Sequence, residues 1–240
     1  MPKPVKFLIV LIIIAVAGAG FWKLTEKKPL SSGTTNYVQG AGNKKVTLIE
    51  YGDFECPVCS RYYSIIKQVK DKYQDDITVQ FKHLPLNTLH PNAQAAHRAA
   101  EAAGRQGKFW EMHDKLYENQ TTWSDAYGIK IAQATAIFEG YAKELGLDLT
   151  KYKSEVNSAV VNDAITADTE SFEKYDTDMA TPTFILNDKV VRAEEIQGDF
   201  NKFVEIIDKE IAAKNPATTE TTTPESTPTP TPEPQTNSGQ

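Results

Sequence analysis

The chain opens its folded part with short apolar runs separated by one amphipathic stretch. Residues 46–51 (Val-Thr-Leu-Ile-Glu-Tyr) are rich in β-branched and apolar side chains, which predicts a buried strand. Residues 57–73 have helical periodicity, and residues 77–84 return to a strand pattern. The apolar positions on one face of the predicted helix are Tyr62, Ile65, Ile66 and Val69. The order strand, helix, strand predicts a βαβ unit.

A long helical stretch follows the predicted βαβ unit. From about residue 90 to residue 176 the apolar spacing is helical, and no convincing strand pattern interrupts it. Residues 183–191 form two short apolar runs around Asn187-Asp188, which predicts a β-hairpin with a tight turn. Residues 198–214 have the pattern of a closing amphipathic helix. We therefore predict an α/β fold with an α-helical subdomain inserted between the βαβ unit and the hairpin.

Residues 1–22 combine a basic start with an uncharged apolar run. The small residues 17–20 are compatible with the cleavage site of a secretory signal peptide. Trp22 and the lysines that follow it are typical of an uncleaved signal anchor at a membrane interface, and we favour this alternative. Both alternatives place the rest of the chain outside the cytoplasm, where disulfide bonds persist.

Two polar segments flank the predicted domain, which spans residues 45–214. Residues 23–44 are rich in Gly, Ser and Thr, and we predict a linker there. Residues 215–240 consist largely of Thr, Pro, Glu and Ser, with almost nothing apolar. Such a segment cannot bury enough surface to offset the entropy of ordering, so we predict a disordered tail.

The charge of the chain excludes one class of partner. The formal net charge is -6 at pH 7, with 26 basic and 32 acidic residues. Nucleic-acid-binding domains usually carry a basic surface, so we expect no nucleic acid as a partner.

The candidate chemistry lies in the two cysteines, Cys56 and Cys59, which are the only cysteines of the chain. They form a C-x-x-C motif at the start of the predicted helix, with Pro57 at the first helical position. Backbone N–H groups at a helix N-terminus stabilise a thiolate, and a stabilised thiolate is what disulfide exchange needs. We predict a redox pair in which Cys56 exchanges with substrate and Cys59 is the resolving thiol.

Two alternatives for the cysteines remain open, a metal half-site or two inert core thiols. Zinc would need two further ligands, and the four histidines do not form the usual H-x3–5-H pair. We therefore expect no bound metal or cofactor. The four histidines, His83, His90, His97 and His113, are predicted to be structural or exposed rather than catalytic.

Four stretches carry a resemblance to a known family: residues 51–59 (YGDFECPVC), 81–86 (FKHLPL), 109–113 (FWEMH) and 180–184 (ATPTF). Over residues 44–214 the chain resembles the DsbA-like thiol–disulfide oxidoreductases. The resemblance implies a thioredoxin-like fold with an inserted α-helical subdomain. It also departs from the family at one place, because Val58 stands where strongly oxidising relatives have a histidine.

Pro57 and Val58 are expected to tune the redox pair. Since Val58 offers neither a cation nor a side-chain hydrogen bond, the thiolate would be stabilised mainly by the helix terminus and backbone amides. We expect a potential between those of thioredoxin and DsbA, roughly -270 to -120 mV.

Three further residues receive roles from the resemblance. A cis bond between Thr181 and Pro182 would lie beside the cysteines and let a substrate chain pair there as an added strand. Glu50 would lie beneath Cys59 and exchange a proton with it. The alternatives are an ordinary trans proline and a solvent-facing glutamate. Asp53 and Glu55 are expected to be solvated turn residues.

The function expected from these features is disulfide formation in exported proteins that carry cysteine thiols. The resemblance implies a membrane quinone-linked thiol oxidase as the partner that reoxidises the pair. A reductase or isomerase with the same site is the nearest alternative. A membrane-anchored module that only binds extended peptides is an alternative from another class.

Overall fold

The structure is a computed structural model, and it describes residues 33–175 and 177–216. The strands are β1 (Tyr37–Gln39), β2 (Val46–Gly52), β3 (Ile77–His83), β4 (Thr183–Leu186) and β5 (Lys189–Arg192). The helices are α1 (Pro57–Tyr73), α2 (Ala93–Gly104), α3 (Phe109–Glu118), α4 (Gln120–Trp123), α5 (Ile131–Glu144), α6 (Leu149–Glu155), α7 (Ala159–Phe172), α8 (Ala193–Ile196) and α9 (Phe200–Lys214). Short 3-10 turns occupy Asp125–Tyr127 and Glu173–Tyr175. The predicted signal peptide or anchor, residues 1–22, and nearly all of the predicted tail lie outside the described residues.

The five strands form one mixed sheet in the order β1-β3-β2-β4-β5. The central strand β2 is parallel to β3 and antiparallel to β4, and the hairpin of β4 and β5 closes one edge. Asn187 and Asp188 both have positive φ angles, 46° and 64°, as the tight hairpin turn requires. The register places Glu50 of β2 between Phe81 and Phe184.

Helices cover both faces of the sheet. Helices α1 and α9 pack on one face through a cluster that includes Tyr62, Val69 and Phe203. Helix α7 packs on the other face, where Phe172 contacts a smaller cluster around Tyr51. The helices between β3 and β4 surround a third cluster, which includes both cysteines. The predicted α/β fold with an inserted helical subdomain is therefore confirmed, and the inserted helices border the cysteine motif.

The prediction of a linker over residues 23–44 is wrong for the part that the structure describes. Strand β1 pairs antiparallel with β3 in this segment, and Tyr37 stacks on Phe109 with ring centroids 3.5 Å apart. The backbone N–H and the hydroxyl of Thr35 both donate to the buried carboxylate of Asp168. A three-residue strand leaves no periodic pattern, and its partners lie far away in the sequence. The folded domain therefore begins before residue 45.

Small corrections apply at the C-terminal end. Helix α9 begins at Phe200, because the Asp199 side chain caps it by accepting from the backbone N–H groups of Asn201 and Lys202. Asn215, assigned to the tail, belongs to the fold, since its side-chain amide donates to the carbonyl of Lys44 at 2.9 Å. Within the described residues, none of the helices is long and apolar enough to cross a membrane.

Candidate active site

Cys56 lies at the junction between the turn after β2 and the start of α1. It is the N-cap residue of α1, has extended backbone angles and is followed by Pro57 at the first helical position. Its backbone N–H donates to the carbonyl of Asp53 at 3.1 Å. The side-chain amide of Gln120 donates to the carbonyls of Cys56 and Phe54, so the helical subdomain holds the turn from the other side.

The surroundings of Cys56 favour its thiolate. The largest contribution is a hydrogen bond from the Cys59 thiol, which burial opposes. The Thr181 side chain and the backbone N–H groups of Cys59 and Val58 add to the stabilisation, and the pKa of Cys56 falls from 9.0 to about 6. The largest single contribution thus comes from the neighbouring Cys59 thiol, and the expected backbone amides of the first helical turn act in the same direction.

Cys59 has the opposite character. It is fully buried one helical turn after Cys56, and burial raises the pKa of its thiol well above the ordinary value of 9.0. The negative charges of Cys56 and Glu50 raise the pKa of Cys59 further. Both cysteines are free thiols in the structure. The two sulfurs therefore form an asymmetric pair, an ionisable outer thiol and a protonated inner one.

Thr181 and Pro182 lie beside the outer sulfur. The bond between them is cis, as the resemblance implies, and the carbonyl of Thr181 is 3.4 Å from Cys56 Sγ. The Thr181 hydroxyl is buried and makes no hydrogen bond within the described residues, and its position near Cys56 lowers the pKa of that thiol. Residues that are 125 positions apart in the chain thus meet at one sulfur atom.

Glu50 is buried under the motif and does not face solvent, since it is only 3% exposed. Burial is the main cause that raises its pKa from 4.5 to about 7, while Lys70 lowers it and Cys56 raises it. Its Oε1 atom has no hydrogen-bond partner among the described residues. A carboxyl that titrates near neutral pH beside a buried thiol has the properties of a proton donor and acceptor.

A groove runs beside the motif between α1 and α8. Its lining residues are Val58, Arg61, Tyr62, Ile65, Ala193, Glu194, Gln197 and Gly198. The Tyr62 hydroxyl donates to the carbonyl of Ala193 at 2.6 Å and accepts from the backbone N–H of Gly198 at 2.8 Å. Val58 is half-buried, lines this groove and directly precedes Cys59 in the chain.

Buried polar groups that the sequence does not predict surround the turn of residues 53–56. Asp53 and Glu55 were expected to be solvated, yet they are 0% and 2% exposed. Asp53 accepts from His90, while Glu55 accepts from the backbone N–H groups of Asn92 and Asp125. Asp53 and Glu55 closely precede Cys56 in the chain, where their negative charge would disfavour a thiolate. This unfavourable placement was the signal in the sequence that both carboxylates have hydrogen-bond partners.

The histidines also lie in buried networks. His83 and His97 are within hydrogen-bond distance, with their Nδ1 atoms 2.7 Å apart, and His113 contacts Asp114 at 2.9 Å. Burial lowers the pKa of His97 to about 4, so its ring is neutral. No group of three or more histidine, cysteine or acidic side chains within residues 33–175 and 177–216 is arranged to hold a metal ion.

Three solved structures share the fold of this chain and are distant from it in sequence. The chain is 23% identical to oxidised BdbD from Bacillus subtilis, with a TM-score of 0.62 over 73% of this chain and 92% of that one. For Pseudomonas aeruginosa DsbA2 the values are 23% identity, a TM-score of 0.57, and coverage of 73% and 94%. Wolbachia pipientis alpha-DsbA1 is 16% identical, with a TM-score of 0.59 over 80% of this chain and 96% of that one. These structures share the DsbA-like form of the thioredoxin fold with this chain.

Curated relatives are similar to this chain over only part of their length. A Na(+)/H(+) antiporter NhaA 1 of Mycolicibacterium vanbaalenii is 38% identical over 156 residues, covering 63% of this chain and 23% of the antiporter. An NhaA antiporter of Herminiimonas arsenicoxydans is 31% identical over 157 residues, with coverage of 65% and 23%. The chain thus spans about a quarter of the length of these curated relatives.

A family model described as Thioredoxin matches residues 32–209, which include both cysteines, the cis proline and the inserted helices. Because this match spans most of the chain and agrees with the fold, the protein belongs to the thioredoxin family.

Proposed function

We propose that this protein is a thiol–disulfide oxidoreductase that acts outside the cytoplasm and forms disulfide bonds in exported proteins. The observation that carries the proposal is the asymmetric cysteine pair. Cys56 has a pKa of about 6 beside the Thr181 carbonyl, whereas Cys59 is buried with a strongly raised pKa. In such a pair, Cys56 is the sulfur that a substrate thiolate attacks, and Cys59 is the sulfur that leaves.

The first step begins with the Cys56–Cys59 disulfide. A substrate thiolate attacks Cys56 Sγ, a bond forms between the two sulfurs, and the Cys56–Cys59 bond breaks. Cys59 leaves with the electron pair and takes the proton of the neutral Glu50 carboxyl, whose pKa of about 7 suits this transfer. The raised pKa of Cys59 makes the thiol its stable form afterwards.

In the second step, another substrate thiolate attacks the substrate sulfur of the mixed disulfide. Cys56 leaves as a thiolate, and its low pKa makes it a good leaving group. Two electrons have passed from two substrate thiols to the cysteine pair, and the substrate carries a new disulfide. A membrane quinone-linked thiol oxidase is the proposed acceptor of these electrons. No metal or cofactor has a role in these steps.

The same pKa values support the oxidising direction of exchange. A stabilised Cys56 thiolate favours the reduced protein, and a protein stable in its reduced form oxidises its substrates. The groove beside Val58 and the cis bond at Pro182 would hold an extended substrate segment next to Cys56. The apolar run in residues 1–22 supports an extracytoplasmic location through an anchor or a cleaved signal peptide.

The experiment is a redox titration of the full chain against glutathione buffers, followed by acid quenching and thiol alkylation. We expect a potential above about -200 mV, within the range between thioredoxin and DsbA. A value near -270 mV would indicate a reductase, and the absence of any Cys56–Cys59 disulfide would overturn the proposal. Cys59→Ser should trap a mixed disulfide between Cys56 and the substrate, because the resolving thiol is absent. If Cys56→Ser keeps the full biological function of the wild type, the protein is instead a peptide-binding module.

A further inference from the structure

His90 lies in the loop between β3 and α2, close to the turn that carries Cys56. Its Nδ1 atom is 2.7 Å from Asp53 Oδ2, and its side chain is 17% exposed, so it remains in contact with solvent protons. The backbone of the loop is fixed on both sides, because the His90 N–H donates to Leu86 and the His90 carbonyl accepts from Ala93. The imidazole is therefore held in one place and can still titrate.

Asp53 joins His90 to Cys56. Its carbonyl accepts the backbone N–H of Cys56 at 3.1 Å, and its carboxylate accepts from His90 and from the backbone N–H groups of Glu55 and Leu86. Burial alone would raise the pKa of Asp53, but the hydrogen bonds outweigh it and keep this pKa well below its usual range. Asp53 thus carries a fixed negative charge three residues before Cys56.

The net charge beside Cys56 therefore depends on His90. With a protonated imidazole the Asp53–His90 pair is neutral, whereas a neutral imidazole leaves one negative charge. The hydrogen bond to Asp53 is the main cause that raises the pKa of His90 above 6.5, and the charges of Cys56 and Glu55 act in the same direction. His97 faces Asp53 at 3.9 Å as a neutral ring. The carboxylate of Glu55 accepts hydrogen bonds from Asn92, Ser124 and Asp125.

We propose that His90 is a positioning residue for the exchange reaction, a titratable cation held by Asp53 that stabilises the Cys56 thiolate and couples the redox equilibrium to pH. The inference rests on the proposed function, since it assigns a regulator to the same cysteine pair. It gives a role to His90 and Asp53, which take no part in the proposed reaction steps.

The coupling between His90 protonation and the Cys56 thiolate acts in both directions, and this fixes how the redox equilibrium depends on pH. If protonated His90 stabilises the thiolate, then formation of the thiolate raises the proton affinity of His90 by the same factor. Reduction of the disulfide by two substrate electrons then leaves one proton on Cys59 and draws a further fraction of a proton from water onto His90. The redox equilibrium constant should consequently vary more steeply with pH near and just above pH 6.5 than the two thiols alone require.

The test is the glutathione equilibrium of the full chain from pH 5.5 to 9, in the wild type and in His90→Gln. Near pH 6.5 we expect His90→Gln to shift the equilibrium threefold to tenfold toward the oxidised protein, which corresponds to about 15–30 mV. The two curves should converge at alkaline pH, once His90 has lost its proton in the wild type. The rate of Cys56 alkylation against pH should show a raised Cys56 pKa in the variant.

Two further variants make the test specific. His90→Lys keeps a cation at pH 9, so its curve should stay separated from that of His90→Gln. His113→Gln is the matched control, because His113 also contacts a carboxylate through Nδ1, while Asp114, Lys70 and His83 are the charges that act on it. Urea unfolding curves identify any variant that has lost its fold.

Curves of folded His90→Gln and wild type that coincide at every pH would overturn the inference. A constant separation that persists to pH 9 would also overturn it, because that is the result of a structural change rather than of a lost charge. Failure of the wild type itself to form the disulfide would instead overturn the proposed function, so the two failures are distinguishable.

Discussion

Glu50 and Cys56 show how neighbouring residues of one site acquire opposite pKa shifts. Glu50 is buried without enough hydrogen bonds to support its charge, so burial dominates and its pKa rises. Cys56 is buried too, but donors from Cys59, Thr181 and the first turn of α1 outweigh that burial. At the scale of single residues, the number of donors aimed at an atom decides the sign of the shift.

Replacement of Glu50 by Gln should slow the proposed release of Cys59 and remove a titration near pH 7 from the rate profile. The variant should also be more stable in alkaline solution. Since the pKa of Glu50 is raised in the folded state, its contribution to stability is present below pH 4.5 and is lost as the pH rises through about 7. Stopped-flow oxidation of a thiol peptide measures the first effect.

Urea unfolding at pH 8 measures the second effect, with a gain of about 3 kcal/mol expected as an upper limit. The surface variant Glu205→Gln on α9 is the control, because Glu205 is exposed. Equal stability of wild type and Glu50→Gln at both pH 5 and pH 8 would contradict the assigned pKa shift.

Thr181→Val should raise the pKa of Cys56, because it removes a buried hydroxyl that favours the thiolate and keeps the carbonyl of residue 181. We expect a shift of roughly 0.5–1 pH unit, which corresponds to about 0.7–1.4 kcal/mol. The pH dependence of Cys56 alkylation measures it. Thr169→Val on α7 serves as a control, and an unshifted profile in Thr181→Val would exclude a role for the hydroxyl.

At the scale of elements, the turn after β2 is fastened to the inserted helices through one carboxylate. Glu55 accepts from the backbone N–H of Asn92, which precedes α2, and from the hydroxyl of Ser124 and the N–H of Asp125, which follow α4. Gln120 of α4 adds two bonds to the carbonyls of Phe54 and Cys56. The inserted subdomain thus positions the cysteine motif as well as covering it.

Glu55→Ala should lower the free energy of unfolding by about 2–4 kcal/mol, because buried donors from two loops lose their acceptor. Thermal or urea unfolding of the reduced protein measures the loss. Glu205→Ala on the exposed face of α9 should change stability by less than about 0.5 kcal/mol. A change of that small size in Glu55→Ala would show that the three contacts are not stabilising.

The sequence predicted the elements whose signal is local and missed those whose signal is tertiary. The spacing of Cys56 and Cys59, the helix pattern of α1 and the Asn187-Asp188 turn are visible within a few residues. Strand β1 was missed because its partners, strand β3 and Phe109, lie far away in the sequence. The burial of Asp53 and Glu55 was missed for the same reason, since their donors come from loops 30 to 70 residues away.

At the scale of the whole molecule, the redox state and the stability of the fold are linked through Cys56. Its pKa is about 6 in the folded protein and near 9.0 as an isolated thiol. A lowered folded pKa contributes stability that is present above pH 9 and is lost as the pH falls through about 6. The reduced protein should therefore gain stability between pH 6 and pH 9, by about 4 kcal/mol at most.

Urea unfolding of the reduced wild type and of Cys56→Ala across this pH range isolates the contribution of Cys56. The difference between the two proteins should grow with pH. The opposite trend of Glu50 between pH 4.5 and 7 is present in both proteins and cancels, except for the part of the Glu50 shift that the charge of Cys56 itself causes. A difference that stays constant from pH 6 to 9 would contradict a lowered Cys56 pKa.

The meeting of Thr181 with Cys56 has a consequence for the order in which the protein is made. The ribosome adds Cys56 and Cys59 first, and at about 5–20 residues per second Thr181 follows roughly 6–25 s later. Until β4 is added beside β2, the nascent chain carries two cysteines without the carbonyl and hydroxyl that adjust the outer sulfur. The growing polypeptide therefore passes through a stage in which the Cys56 thiolate lacks the contribution of Thr181 and is less stabilised than in the finished fold.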